Sequence, residues 1–268
     1  MLSFLRQSSR DYLIAAIVFT CVSIGLFLDS DASLRGQYAL GACAWFILYM
    51  LLRGEDNPVR LQVAIVVATA TLCEYIFAPT YHIYIYRFDN VPAYIPPGHG
   101  MVYLTAVALA RSQLFVQYQR AITVVILAVG AAWALWGVTW APRSDTGGAV
   151  LFLVFAGFVL LGRAPRVYLA AFLITSYLEL VGTHWGTWAW AEFWPSWGNL
   201  PQANPPSGIS AGYCLLDAIA LIGAPWLANA LISWRRILPA SQTARRSIEA
   251  EIGQPLLGDA ELGYEKGR

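Results

Sequence analysis

The sequence predicts an all-α integral membrane protein, a polytopic helical bundle with about eight transmembrane helices. Three observations predict this fold: the composition, the length of the charge-free apolar segments and the positions of the arginines. Of the 268 residues, 58% are hydrophobic and 12% are charged, whereas soluble domains are roughly 45–50% apolar and about 25% charged. The net charge of +1 gives no basic surface, so we expect no nucleic-acid partner.

The apolar segments have the length of a lipid bilayer. Leu13–Leu28 and Ala121–Trp136 contain no Asp, Glu, Lys or Arg, and roughly 20 apolar residues cross the hydrocarbon core. We expect the first segment to be an uncleaved span, and residues 1–238 to form a transmembrane domain before a short, polar cytoplasmic tail, 239–268. The predicted spans are 11–28, 37–52, 60–78, 99–118, 121–140, 148–162, 165–182 and 208–234.

The basic residues of the connecting segments predict the orientation of the spans. Five pairs of arginines fall on one side of the membrane: Arg6 and Arg10, Arg53 and Arg60, Arg111 and Arg120, Arg163 and Arg166, and Arg235 and Arg236. Arg35, Arg87 and Arg143 fall on the other side. Because arginine-rich loops stay in the cytoplasm, we expect both termini to be cytoplasmic, in a bacterial inner (plasma) membrane.

Two outer segments, 74–103 and 179–213, show the same order of residues. Each has a Glu near the outer end of a helix, then a Thr and a His, an aromatic alternation, and a Pro-Pro segment with Gly and Tyr at the next helix start. This order predicts an internal repeat of 1–118 and 119–238, with two parallel four-helix halves. The alternative is chance, since Tyr and Trp are common at membrane interfaces.

All three histidines of the chain, His82, His99 and His184, lie in these two segments. Imidazole exchanges protons near neutral pH and also ligates metal ions and haem. A metal ion or a haem is therefore a candidate cofactor, with the three histidines as candidate ligands. However, no spacing here matches a signature such as His-Glu-x-x-His. The alternative is that each histidine is a surface or hydrogen-bonding residue.

Three carboxylic acids inside predicted spans, Glu74, Glu179 and Asp217, join the histidines as candidate catalytic residues. An ionisable residue within a span costs roughly 2.5–3.5 kcal/mol on insertion scales and usually faces the bundle interior or a wet cavity. Asp217 is expected near mid-membrane, on the order of 13 Å below the outer helix end. The alternative is that each carboxyl is protonated and hydrogen-bonds to a neighbouring helix.

The outer segments are also rich in aromatic residues. The loop after Glu179 carries several Trp residues and is expected either to form an aromatic belt or to cover a lipid tail or conjugated chain. The Pro-Pro-Gly segments are expected to start helices, whose free N–H groups favour an anionic group, or simply to end the loops. The candidate substrate-binding residues are Tyr103, Trp185, Trp188, Trp190, Asn204 and Tyr213.

One short run resembles a known family. Glu179-x-x-Gly182-x-x-x-Gly186-x-Trp188 resembles a Glu and Gly pattern in membrane carotenoid hydratases. The resemblance is confined to residues 179–188, and we carry no function over from it.

Two functions of different class follow from these residues. The first is a membrane-embedded enzyme that acts on a lipid or isoprenoid at an outer-leaflet His/Glu site, by acid–base or metal-assisted chemistry. The second is a proton-coupled transporter or lipid carrier, in which two repeats enclose a path lined by the three carboxyls. The concentration of polar residues at one face favours the enzyme. Membrane lipids are the expected partners, with a lipid or isoprenoid as substrate, and protein partners are unknown from the sequence.

Overall fold

The computed structural model describes residues 2–194 and 198–237, with side chains for 8–194 and 198–230. Helices dominate this part of the chain. They are α1 (Leu2–Asp31), α2 (Leu34–Leu52), α3 (Asn57–Tyr75), α4 (Ile95–Arg111), α5 (Gln113–Gln117), α6 (Gln119–Thr139), α7 (Thr146–Leu161), α8 (Pro165–His184) and α9 (Ser210–Ile237). A π-helical turn, Ile76–Thr80, extends α3. The predicted tail, 239–268, lies outside the described residues.

Five of the described helical segments are long and apolar enough to cross a membrane, by length and composition. They are Ser8–Asp31, Asn57–Thr80, Gln119–Thr139, Pro165–His184 and Ser210–Ala230. Large apolar side chains also cover the outside of the bundle: Leu153 is 70% exposed and Leu161 is 88% exposed. Since many exposed large apolar side chains are unfavourable in water and typical of membrane contact, both observations support a helical integral membrane protein. The number of eight spans remains a prediction.

Two features differ from the predicted all-α bundle. The predicted fourth span, 99–118, is not one helix, because α4 ends at Arg111 and Ser112 takes an extended conformation before α5. In addition, two short strands, β1 (Tyr84–Tyr86) and β2 (Trp188–Trp190), pair antiparallel in the outer segments. In a three-residue strand the alternation Tyr-x-Tyr or Trp-x-Trp covers a single repeat, which is also common among the aromatic residues of membrane interfaces.

The chain divides into two compact units, 1–224 and 225–268, whose boundary falls at Pro225 inside α9. The apolar core of the first unit has three parts. One surrounds Phe155 and Leu169, and another surrounds Val18 and Leu104. The third contains the inward-facing side chains of β1 and β2 together with Leu26 and Ala78. The strands therefore belong to the core of the first unit.

Four charged side chains tie together one end of the first unit. Arg111, at the end of α4, lies 2.6 Å from Asp11 and 2.7 Å from Glu55, and Arg10 lies 2.5 Å from Glu55. Burial alone raises the pKa of Glu55, but the hydrogen bonds and positive charges of Arg111 and Arg10 outweigh it and hold that pKa below its usual value. These ion pairs fix α1, the α2–α3 connection and α4 to one another.

Candidate functional site

The strand pair places four polar aromatic side chains on one face. β1 and β2 pair with Tyr84 opposite Trp190 and Tyr86 opposite Trp188. Because side chains alternate along a strand, all four rings lie on the same side of the pair. The four side chains are buried, and the middle residue of each strand is exposed. Two phenol and two indole donors thus face the protein interior.

The two Tyr residues of β1 bind Glu74, near the end of α3. The hydroxyls of Tyr84 and Tyr86 both donate to Oε2 of Glu74, each at 2.8 Å. The other carboxyl oxygen, Oε1, lies 2.8 Å from Nε2 of His99, which belongs to the second turn of α4. Glu74 is only 6% exposed. Both oxygens of this buried carboxyl therefore have protein partners.

The two Trp residues of β2 bind Glu179, in α8, in the same way. Nε1 of Trp188 and Nε1 of Trp190 donate to Oε2 of Glu179, at 2.9 and 3.0 Å. The hydroxyl of Tyr213, in α9, donates to Oε1 at 3.4 Å. Glu179 is 4% exposed. In each buried Glu, one carboxyl oxygen thus accepts hydrogen bonds from two side chains of a strand. The other carboxyl oxygen contacts one side chain from a helix.

A ring stack joins the two arrangements. The rings of His99 and Tyr213 stack with centroids 5.3 Å apart and an interplanar angle of 26°. Glu74, His99, Tyr213 and Glu179 therefore form a continuous series of contacts, which we call the carboxylate cluster. The two outer segments that share an order of residues meet at this cluster.

The protonation of the cluster follows from its donors. Burial raises the pKa values of Tyr84 and Tyr86 well above the usual value, and the Glu74 carboxylate raises them further. Both phenols therefore keep their protons and donate to Glu74. With Glu74 as the acceptor, His99 carries its proton on Nε2, which leaves a lone pair on Nδ1.

Nδ1 of His99 is the chemically open atom of the cluster. The His99 side chain is 10% exposed, and Nδ1 is buried without a hydrogen-bond partner among the described residues. Buried polar atoms are paired in most proteins, and the exceptions often have a catalytic or ligand-binding explanation. A histidine held by a carboxylate through one nitrogen, with the other nitrogen free, can take up and return a proton.

The other two histidines lie outside the cluster. His82 is exposed, and its Nδ1 lies 3.2 Å from the carbonyl oxygen of Ala78. His184 is also exposed and packs edge-on against the ring of Trp185. Within 2–194 and 198–237, no group of three or more His, Cys, Asp and Glu could hold a metal ion. The structure therefore does not bring together the three candidate ligands of the predicted metal or haem site.

The remaining candidate residues have different positions. Asn204 accepts a hydrogen bond from the backbone N–H of Trp190 at 2.9 Å, so it positions β2 and does not reach a carboxyl. Tyr103 donates to Oε1 of Gln62 at 2.9 Å. Asp217 is 3% exposed and lies one turn beyond Tyr213 on α9. Trp185 is 39% exposed, against Phe27.

The Pro-Pro segments behave differently in the two halves. Pro96 and Pro97 occupy the first turn of α4, as expected. In contrast, α9 begins only at Ser210, after Pro205 and Pro206. The second Pro-Pro segment therefore ends a loop and does not start the helix.

Sequence reasoning missed the buried donors Tyr84 and Tyr86. The available signal was the alternation Tyr-x-Tyr and Trp-x-Trp, which is typical of strands with one buried face. It also missed Asp145, which accepts hydrogen bonds from the backbone N–H groups of Gly148, Ala203 and Ser207 at 3.2, 2.8 and 2.8 Å. Its signal was the position of an Asp just before an apolar helix, where Asp is a common N-cap.

Arg143 and Asp145 together hold the loop that follows β2. Arg143 donates to the carbonyl oxygens of Gln202 at 2.5 Å and of Trp190 at 2.9 Å, and also to that of Ala191. Asp145 binds the next residues of the same loop. We call these two residues the loop clamp. They fix β2, and with it the Trp donors of Glu179.

Gly182 makes room for one of these donors. A Cβ at this position would overlap the ring of Trp188, so Gly182→Ala should displace the indole and break its bond to Glu179. Overpacking of this kind usually costs about 1–3 kcal/mol. We expect a lower thermal unfolding midpoint and altered Trp fluorescence. Gly157→Ala is the matched control, because its Cβ would meet no atom within 4 Å. Equal midpoints and spectra for both variants would contradict the proposed packing.

Comparisons with known proteins give no information on function, so the carboxylate cluster is the main evidence. No protein-family model matches the sequence, and neither a search of curated proteins nor one of solved structures finds a significant match.

Proposed function

We propose that the protein is a membrane-embedded enzyme that acts on a lipid or isoprenoid by acid–base chemistry at the carboxylate cluster. One observation carries the proposal: His99 binds Glu74 at 2.8 Å through Nε2, while its Nδ1 is buried without a partner among the described residues. A buried carboxylate–histidine pair with one free nitrogen is a typical arrangement for proton transfer.

The proposed step is a proton transfer between the substrate and Nδ1 of His99. The substrate X–H bond breaks, its electron pair stays on the substrate, and the proton goes to Nδ1. Glu74 stabilises the resulting imidazolium, because its carboxylate accepts the Nε2–H bond. The proton then returns to the substrate at a second position. Glu179 supplies a second carboxyl on the other side of Tyr213.

The surroundings of the cluster favour an apolar substrate. The cluster lies against packed aromatic rings, such as Tyr84 and Trp190, whose centroids are 4.7 Å apart. It also lies at the end of helices that are apolar enough to cross a bilayer. A lipid or isoprenoid with one weakly acidic or protonatable group would fit these surroundings. Membrane lipids then surround the protein and also supply its substrate.

The proposal includes the predicted topology: eight spans, both termini in the cytoplasm of a bacterium, and the cluster at the outer leaflet. A described helix lies in each of the eight predicted spans. Arg10 and Arg111, from the predicted cytoplasmic set, share one ion-pair cluster. Arg87 and Arg143, from the other set, bind backbone at the opposite end of α4: Arg87 donates to the carbonyl oxygens of Asp29 and Ala32, and Arg143 donates to that of Trp190.

The proposal also includes the internal repeat of 1–118 and 119–238. The matching donor patterns of Glu74 and Glu179, and the pairing of one strand from each half, support a duplication about an axis near the membrane normal.

The alternative function is a proton-coupled transporter or lipid carrier. One observation favours it: Asp217 is buried deep in the bundle, and its Oδ2 has no partner among the described residues. Carboxyls at this depth often take part in proton transport.

In the experiment, the purified full chain in nanodiscs is incubated in D2O with a lipid extract from the membranes of the bacterium that makes the protein. The proposal predicts that mass spectrometry will detect a lipid that is converted and that carries deuterium from the solvent. The transporter alternative predicts no converted lipid, and instead proton flux into vesicles that contain the protein and a pH-sensitive dye. Proton flux without conversion would overturn the enzyme proposal.

A further inference from the structure

A second polar layer lies one helical turn below the carboxylate cluster. On α4, Tyr103 follows His99 by four residues, and on α9, Asp217 follows Tyr213 by four residues. Residues four apart lie on the same face of a helix, about 6 Å apart along its axis. Each cluster residue that belongs to α4 or α9 therefore has a polar residue directly beneath it.

The contact between His99 and Tyr213 also determines where Tyr103 and Asp217 lie. α4 and α9 both begin just after an outer segment, so both run away from the cluster in the same direction. The stacking of His99 on Tyr213 fixes their register. With this register, Tyr103 and Asp217 are expected on the facing sides of α4 and α9, one turn below the stacked rings.

Asp217 has the surroundings of a neutral acid. It is 3% exposed, and none of the described ion pairs includes it. An unpaired carboxylate is far more costly to bury than a carboxylic acid. The Tyr103 hydroxyl is already used as a donor to Gln62.

Among the buried polar atoms that have no hydrogen-bond partner within the described residues, Nδ1 of His99 belongs to the upper layer and Oδ2 of Asp217 to the lower layer. The first is a base when Nε2 carries the proton, and the second is an acid when the carboxyl is neutral. Buried water commonly pairs with such atoms. One acid and one base, about a helical turn apart, match the two ends of a short proton path.

We propose that Asp217 is a proton reservoir for His99, and that the two exchange a proton through a bridging water. In the forward step the Oδ2–H bond breaks, the proton reaches Nδ1 of His99 through the water, and the electron pair stays on Asp217. The reverse step restores the acid. Asp217 acts through His99 and does not touch the substrate. It is therefore a positioning residue that supplies a proton to His99. This inference rests on the proposed function for the role of His99.

The test is infrared spectroscopy of the purified full chain in nanodiscs, and it needs no substrate. Asp217→Asn should remove a C=O band of a protonated carboxylic acid at neutral pH. On transfer from water to D2O, the same band in the unmodified chain should shift as its proton exchanges. His99→Gln should slow that shift by about a hundredfold, because the base is lost. His184→Gln, at an exposed histidine, should leave the rate unchanged.

Two results would overturn the inference. One is an unchanged carboxylic acid region in Asp217→Asn, and the other is an equal exchange rate in His99→Gln and His184→Gln. If Asp217→Asn does not fold, the unmodified chain can be labelled with ¹³C-Asp, which shifts the carboxylic acid band of an Asp. If the label leaves the carboxylic acid band in place, the band does not come from an Asp and the inference is wrong. Failure of the proposed function gives a different result, namely no lipid conversion while the exchange through His99 persists.

Discussion

Glu74→Gln should lower the rate of lipid conversion by about a hundredfold or more, the usual contribution of a general acid–base group. Gln keeps the volume of Glu, and its amide oxygen can still accept from Tyr84 and Tyr86. Its amide nitrogen, however, is a donor and would face Nε2 of His99. His99 would then carry its proton on Nδ1, so the free nitrogen would no longer be a base.

The measurement is the conversion assay in nanodiscs, with thermal unfolding measured on the same preparations. Glu192→Gln is the matched control, since Glu192 is an exposed acid in the same outer region. The account predicts near-normal unfolding midpoints for both variants and a loss of conversion in Glu74→Gln alone. Normal conversion by Glu74→Gln would exclude its carboxylate from the chemistry.

Asp145→Ala should be the most destabilising single change in the outer segments. Asp145 is fully buried, and its removal leaves three backbone N–H groups without an acceptor. An unsatisfied buried donor costs about 1–3 kcal/mol, so we expect a loss of at least about 3 kcal/mol. The loop that follows β2 should separate from the bundle, and the Trp donors of Glu179 should become accessible to solvent.

Thermal unfolding and acrylamide quenching of Trp fluorescence measure both effects. Asp145→Asn is the control, because it keeps one acceptor oxygen and should give an intermediate midpoint. If Asp145→Ala unfolds at the same temperature as the unmodified chain, the loop clamp does not hold this region.

Sequence patterns predicted much of the framework for physical reasons. Apolar segments of bilayer length became helices, since a chain in lipid must satisfy its own backbone hydrogen bonds. Glu74 and Glu179 were predicted as site residues because ionisable groups are rare in such segments, and His99 was predicted because all three histidines lie in the two outer segments. The structure brings Glu74, Glu179 and His99 into one cluster.

Other parts of the site depend on contacts that are distant in sequence. His82 and His184 were grouped with Glu74 and Glu179 because they are close in sequence. However, His82 has a positive φ of 51°, and both side chains are exposed. Trp188 was predicted to bind substrate or anchor at the interface, but the space above Gly182 allows its indole to turn inward to Glu179. The Trp-x-Trp alternation is a local sign of a buried face, but no local pattern indicates which carboxyl that face meets.

The central claim is that Nδ1 of His99 transfers protons to and from a lipid. The most direct measurement compares His99→Gln with His184→Gln in the D2O conversion assay. These variants make the same change at a histidine whose side chain is 10% exposed and at a histidine that is exposed. The account predicts that His184→Gln forms deuterated product at the rate of the unmodified chain, while His99→Gln forms almost none. Equal deuterium incorporation by the two variants would contradict it.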